Sequence, residues 1–231
     1  MADTQGAAAN NYVDLSVGRI QGDFDTQVSS SLNSITAVVG HYFSINKETD
    51  NKGLGKLEAS VAFSYLDLST EGLSNETGMG DVIAKIGATL HRNGLTLYPA
   101  LAIKLPTADE NKQLGSGEVD LGGFLSITHP CGAFICGVGL GYILLGDPPG
   151  TDYNDILRLN LNGFRRFGRL GVGAFLQQDT ADVDGAKNPL SAGLNAFYIF
   201  TPRNALYSEI SSGLNNTAAD TSFRLGMVQW F

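Results

Sequence analysis

Cysteine, histidine, tryptophan and charge are all scarce in this 231-residue chain: 2 Cys, 3 His, 1 Trp and 16% charged residues. Cys131 and Cys136 have no His/Cys set at zinc-ligand spacing around them and cannot frame a disulfide scaffold. In an extended segment their Cα atoms lie roughly 16 Å apart, too far to bridge, so two free thiols are expected. Soluble domains carry about 25% charged residues. The lower share here, with a net charge of −8, excludes a basic nucleic-acid-binding surface. A hydrophobic fraction of 43% excludes a disordered chain. No segment of a dozen residues keeps a 3.6-residue apolar period, so amphipathic helices are not expected. The opening MADTQGAAANN lacks the basic region and apolar run of a secretory signal, which leaves a cytosolic protein or a mature chain whose signal has been removed.

Glycine, in contrast, is abundant. The 29 glycines sit inside apolar runs and follow no triplet period. Leu121–Gly146 is 26 residues without formal charge, long enough for a transmembrane helix. Seven glycines and the interruption His129-Pro130-Cys131-Gly132 argue against one, because glycine and proline are poor helix formers. With period two the stretch becomes a hairpin, and the same alternation recurs along the chain. Leu157, Leu159 and Leu161 alternate with Arg158, Asn160 and Asn162. Leu190, Ala192, Leu194, Ala196, Tyr198 and Phe200 form another apolar face. The chain therefore reads as all-β.

Twelve strands are expected, near 11–21, 28–45, 55–66, 81–91, 94–105, 118–128, 133–145, 153–163, 169–179, 189–200, 203–213 and 220–231. Most match the roughly 9–11 residues of a tilted membrane-spanning strand. Connections after even strands are mostly tight, and those after odd strands are polar and longer. An even strand count with short turns at one end and long loops at the other is the pattern of a bacterial outer-membrane barrel. Closure removes the unpaired edges that lipid would not tolerate. The reading is one antiparallel up-and-down transmembrane β-barrel over residues 1–231, with 1–10 as a loose N-terminal segment. Phe43, Phe164, Phe167, Tyr198, Phe200 and Trp230 gather beside the short turns, as an interfacial girdle would. The end of the chain, Phe223 to Phe231, alternates and stops on an aromatic residue. It resembles the C-terminal strand recognised by barrel-assembly machinery, with Phe231 as the signal and Gln229 as a departure.

Charge divides between the two ends. The loops after odd strands and their flanks carry Asp23, Asp25, Asp67, Glu71, Glu76, Asp81, Asp109, Glu110, Asp147, Asp152, Asp179, Asp182, Asp184 and Asp220 against Lys112 and Lys187. The opposite end carries mainly Lys and Arg. Such a mouth concentrates cations and repels anions, or its acids bind divalent cations that bridge lipopolysaccharide. If the apolar faces meet lipid, the lumen is lined by Asp14, Glu58, Lys85, Lys104, Glu118, Asp120, Arg158, Glu209 and Arg224, with Phe175 and Phe197. Five acids against four bases leaves the wall nearly neutral, so most of these charges are expected to pair across it. Twelve strands make a narrower bore than the 16–18 of aqueous porins.

Gly78-Met79-Gly80-Asp81-Val82 opens one strand. Lys104-Leu105-Pro106-Thr107-Ala108-Asp109 closes the next, and Gly115-Ser116-Gly117 leads to Asp120. These motifs resemble the outer-membrane family named for the meta-pathway of phenol degradation, with Ala108 in place of the usual Gly and Ser116 in place of Thr. The resemblance implies a monomeric channel-like barrel, often encoded beside genes for the breakdown of aromatic compounds. The expected function is passage of small hydrophobic or aromatic molecules through a bacterial outer membrane by a mature chain. Lipopolysaccharide, outer-membrane lipid and the assembly machinery are its expected partners, and no cofactor or metal is expected. The alternatives are a narrow ion-conducting barrel, a structural or adhesive barrel, and a lipid hydrolase built on the lipid-facing His41.

Overall fold

Apolar residues at every second position favour extended chain, and the backbone is almost entirely strand. The computed structural model describes residues 10–24, 28–44, 53–183 and 185–231. The strands are β1 (Asn11–Gly22), β2 (Ser30–Ser44), β3 (Gly53–Thr70), β4 (Glu76–Met79), β5 (Val82–Arg92), β6 (Leu95–Leu105), β7 (Asp120–Cys131), β8 (Phe134–Leu144), β9 (Ile156–Phe167), β10 (Leu170–Asp179), β11 (Leu190–Thr201), β12 (Asn204–Gly213) and β13 (Thr221–Trp230). All pairings are antiparallel, and β1 pairs with both β2 and β13, so the sheet closes on itself. Twelve strands form the barrel. The extra strand is β4, which pairs with the upper end of β3 (Tyr65 opposite Met79, Leu68 opposite Glu76) while β5 pairs with the lower part. The sequence pattern placed a loop over 67–80. Instead β3 runs on to Thr70, because its alternation continues through Leu66 and Leu68.

Registers fix the direction of each side chain. Leu15, Val17, Ile35, Val39, Leu101, Leu140, Leu161, Leu194 and Leu225 all point outward and are exposed, Leu101 and Leu194 at 61%. Leaving such a wall in water would cost about 25 cal/mol per Å² of apolar surface. In lipid it costs nothing, and the closed ladder leaves no backbone edge unpaired there. The chain is therefore a transmembrane β-barrel. No helix among the described residues is long and apolar enough to cross a membrane.

Among the described residues, the turns at the end that holds both chain termini are tight. Asn93 (φ 51°) and Gly94 (φ 80°) both occupy the left-handed region, the geometry of a two-residue turn whose twist matches its strands. Phe43, Phe167, Tyr198 and Phe200 lie outward at this end, as a girdle requires. Phe164 and Trp230 do not: their parity turns them inward, Phe164 opposite Ile135 and Gly173, Trp230 opposite Tyr12. Cys131 and Cys136 are both free thiols. The chain turns between them at Gly132 and brings the two thiols beside each other, so the wide separation expected of an extended segment does not hold.

Candidate functional site

The barrel's interior is the site that the fold offers. No large side chain among the described residues is fully buried. A barrel with a packed core would bury its inward residues completely. Here the inward side chains of Lys85 and Arg158 remain 36% and 37% exposed. The interior is therefore not packed like a closed core.

Aromatic rings line it, and most lie where a neighbouring strand has glycine. Tyr12 faces Gly40, Phe124 faces Gly141, Phe175 faces Gly193, Phe197 faces Gly171 and Tyr207 faces Gly226. A Cβ on any of these glycines would overlap the ring opposite. Rings packed over strand glycines compensate for the missing side chain and pin the register. The glycine excess thus accommodates rings folded along the wall, which keeps them out of the bore.

The tyrosines use this reach to bond acids two strands away. Tyr12 passes over Gly40 and donates to Glu58 Oε1 at 2.5 Å. Tyr98 passes over Gly87 and donates to Glu58 Oε2. Lys85 Nζ lies 3.3 Å from the same carboxylate. Tyr207 donates to both oxygens of Asp14, at 2.8 and 3.0 Å. A charge-bearing hydrogen bond of this kind contributes about 1.5–3 kcal/mol, and a buried carboxylate without such partners would be costly.

Two further clusters sit toward the long-loop end. Arg158 donates to both oxygens of Asp179, Nε at 2.9 Å and Nη2 at 2.7 Å, the paired geometry that suits a guanidinium to a carboxylate. Lys104 Nζ lies 2.7 Å from Asp120 and 3.6 Å from Asp81, and donates to Ser116 Oγ at 2.7 Å. Asp81 Oδ1 also accepts from the backbone of Thr107 and Ala108. The motif residues of 78–81, 104–109 and 115–120 therefore meet in one corner of the mouth. From that corner the β6–β7 loop folds inward. Leu114 is buried against the inner side of Gly78 on β4, and Lys112 Nζ donates to the Thr77 carbonyl.

Asp14, Glu58, Lys85, Lys104, Asp120, Arg158, Phe175, Phe197, Glu209 and Arg224 all occupy inner-face positions in the strand registers. Glu209 and Arg224 stand opposite each other on β12 and β13. Glu118 precedes β7 in the mouth loop, with its backbone beside Ser116. Among the mouth acids, Asp109 caps a short 3-10 turn at Glu110–Lys112, and Asp147 accepts from the Tyr153 amide at 2.8 Å. Asp152 and Asp182 are exposed, and Asp184 lies outside the described residues. Asp81 and Asp179, grouped by sequence with the open mouth, face inward and are paired. Phe231 exchanges two backbone hydrogen bonds with Asn11, tying the chain's end to its first strand. Sequence reasoning missed Tyr12, Tyr98 and Tyr207 as members of the wall. The signal was present as inward tyrosines facing or flanking inward glycines.

The outer wall also carries a shallow apolar groove of about 710 Å³, floored by Ala59, Ala88 and Gly123 and walled by Leu57, Leu101 and Leu140. It lies on the lipid-facing side of the wall. His41 lies on the same outer wall. Its Nδ1 bonds Asn11 Oδ1 at 2.7 Å, its ring packs on Phe43, and its neighbour on β3 is Ala59.

No protein-family model and no curated protein matches the chain. Solved structures do. An outer membrane channel from Pseudomonas putida F1 is 14% identical, with a TM-score of 0.81 over 100% of this chain and 99% of that one. The translocator domain of the autotransporter NalP from Neisseria meningitidis, also 14% identical, gives 0.58 over 99% and 90%. The monoaromatic hydrocarbon channel CymD, 9% identical, gives 0.55 over 96% and 88%. At such identities the likeness is one of fold, and the fold is the twelve-stranded β-barrel of outer-membrane proteins.

Proposed function

We propose that the protein is a passive, monomeric channel of a bacterial outer membrane for small hydrophobic or aromatic molecules. The observation that carries this reading is the unpacked interior: inward side chains stay exposed inside a closed wall whose outside is apolar. Four inward phenylalanines and paired charges make a lumen that is partly apolar and nearly neutral, which suits small amphipathic solutes better than large polar ones. Proteins of this fold include a monoaromatic hydrocarbon channel, which supports the solute class. They also include an autotransporter translocator, so fold alone does not decide function. The lipid-hydrolase reading gains no support. The partners of His41 are an amide and a ring, and the residues facing it on β1 and β3 are Asn11 and Ala59.

Reconstitution tests the reading. The purified barrel in planar bilayers is expected to give discrete conductance steps, and liposomes containing it are expected to admit small aromatic solutes faster than sugars of similar mass. A bilayer without steps, together with liposomes that admit nothing, overturns the channel.

A further inference from the structure

The lumen wall is chemically divided. Every inward phenylalanine of the described strands lies on β7–β11, and every inward tyrosine lies on β1, β2, β6 or β12. Between the Arg158–Asp179 pair at one end and Arg166 at the other, the inner face of β8–β11 bears no ionisable side chain. Three phenylalanines and three asparagines stand there. Phe164 and Phe197 stack with centroids 5.0 Å apart and planes at 15°, filling the space above Gly171. Phe175 covers Gly193. Asn162 donates to Asn160 Oδ1 at 3.0 Å, and Asn195 stands opposite Gly173. All six are partly exposed, and for inward side chains that exposure is to the lumen.

This face offers aromatic surface beside amides that both donate and accept. Between its two ends it offers no cation. Arg158, at one end, is neutralised by Asp179, and Arg166, at the turn end, keeps its charge while its Nε donates to the Gly168 carbonyl at 2.7 Å. An ionised substituent that left water in the middle of the stripe, beside Phe175 and the asparagines, would find no counter-charge, and that desolvation is expensive. A hydroxyl or carboxamide would find partners at once. We propose that this Phe/Asn stripe on β9–β11 is a binding track for neutral aromatic molecules that carry a hydroxyl or amide group. The inference deepens the channel reading above and rests on it.

Single-channel recording with phenol, benzamide and benzoate tests the track. Phenol and benzamide are expected to produce brief current blockades in the wild type, and benzoate far fewer. Phe197→Leu keeps an apolar side chain but removes the ring, and Asn162→Ala removes an amide. Each should shorten the blockades about three- to tenfold, the range that one aromatic contact or hydrogen bond supplies. Phe223→Leu, on the outer wall, should leave them unchanged. Heat-dependent gel migration establishes that each variant is folded. A conducting wild type blocked equally by benzoate, or a Phe197→Leu channel with unaltered blockades, overturns the track and leaves the channel standing. A wild type without current overturns the channel reading, and the track with it.

Discussion

Tyr207 on β12 donates its hydroxyl proton to Asp14 on β1 at 2.8 Å, reaching over Gly226 on the strand between them. The two residues are 193 positions apart, so the bond stitches the seam where the first and last strands of the barrel meet. Gly226→Ala places a methyl where the ring lies and should destabilise the fold by about 1–3 kcal/mol. Tyr207→Phe, which removes only the bond, should cost about 1.5–3 kcal/mol because the partner is a carboxylate. Denaturant unfolding in detergent or vesicles measures both. A Gly226→Ala protein that unfolds with the wild type would remove the ring-over-glycine account.

The assignment of faces makes a paired prediction. Leu194 points into lipid and its neighbour Asn195 into the lumen. Arginine at a lipid-facing midplane site costs about 2–4 kcal/mol. Leu194→Arg should therefore lose that much stability in bilayers, and Asn195→Arg much less. The reverse ranking would invert the barrel wall.

Arg158 and Asp179 cancel each other inside the lumen. Arg158→Ala leaves the carboxylate alone, so the reversal potential in a salt gradient should move toward cation preference. Asp179→Asn should move it the other way. Identical potentials for both variants would place the pair off the ion path.

Lys104 separates two carboxylates and anchors the inward-folded β6–β7 loop through Ser116. Lys104→Met leaves Asp81 and Asp120 facing each other without their cation, and the loop should loosen. Protease added to intact cells should cut within 106–119 at least tenfold faster than in the wild type, a shift of about 1.4 kcal/mol in local opening. Equal cleavage would show that the loop holds without the lysine.

Strand count, strand phase and closure were legible in the sequence because period two is a local signal and each strand carries it alone. Leu157 to Leu161, alternating with Arg158 and Asn160, fixes its own faces without reference to neighbours. The partners of inward charges were not legible. Asp179 reads as a loop acid until register places it opposite Arg158, and Glu58 gives no local sign of the two tyrosines that reach it across a strand on either side. β4 is illegible for a related reason: Glu76–Met79, with Gly78 inside it and Gly80 beside it, has the composition of a loop, and only the length of β3 gives it a partner. Closeness to a turn says nothing of the parity that points Phe164 and Trp230 inward, which the register decides.

The tongue formed by the upper end of β3 and by β4 has a mechanical consequence. Below it, every strand is bonded on both sides, so widening the cylinder would stretch a ladder at each of its joints. Above it, the far edge of β4 has no strand partner among the described residues and meets the β6–β7 loop, through Lys112 and Leu114. The rim is a hoop cut at one point. A cut hoop opens by bending, which takes far less force than stretching, so the aperture can vary while the bore beneath keeps its diameter.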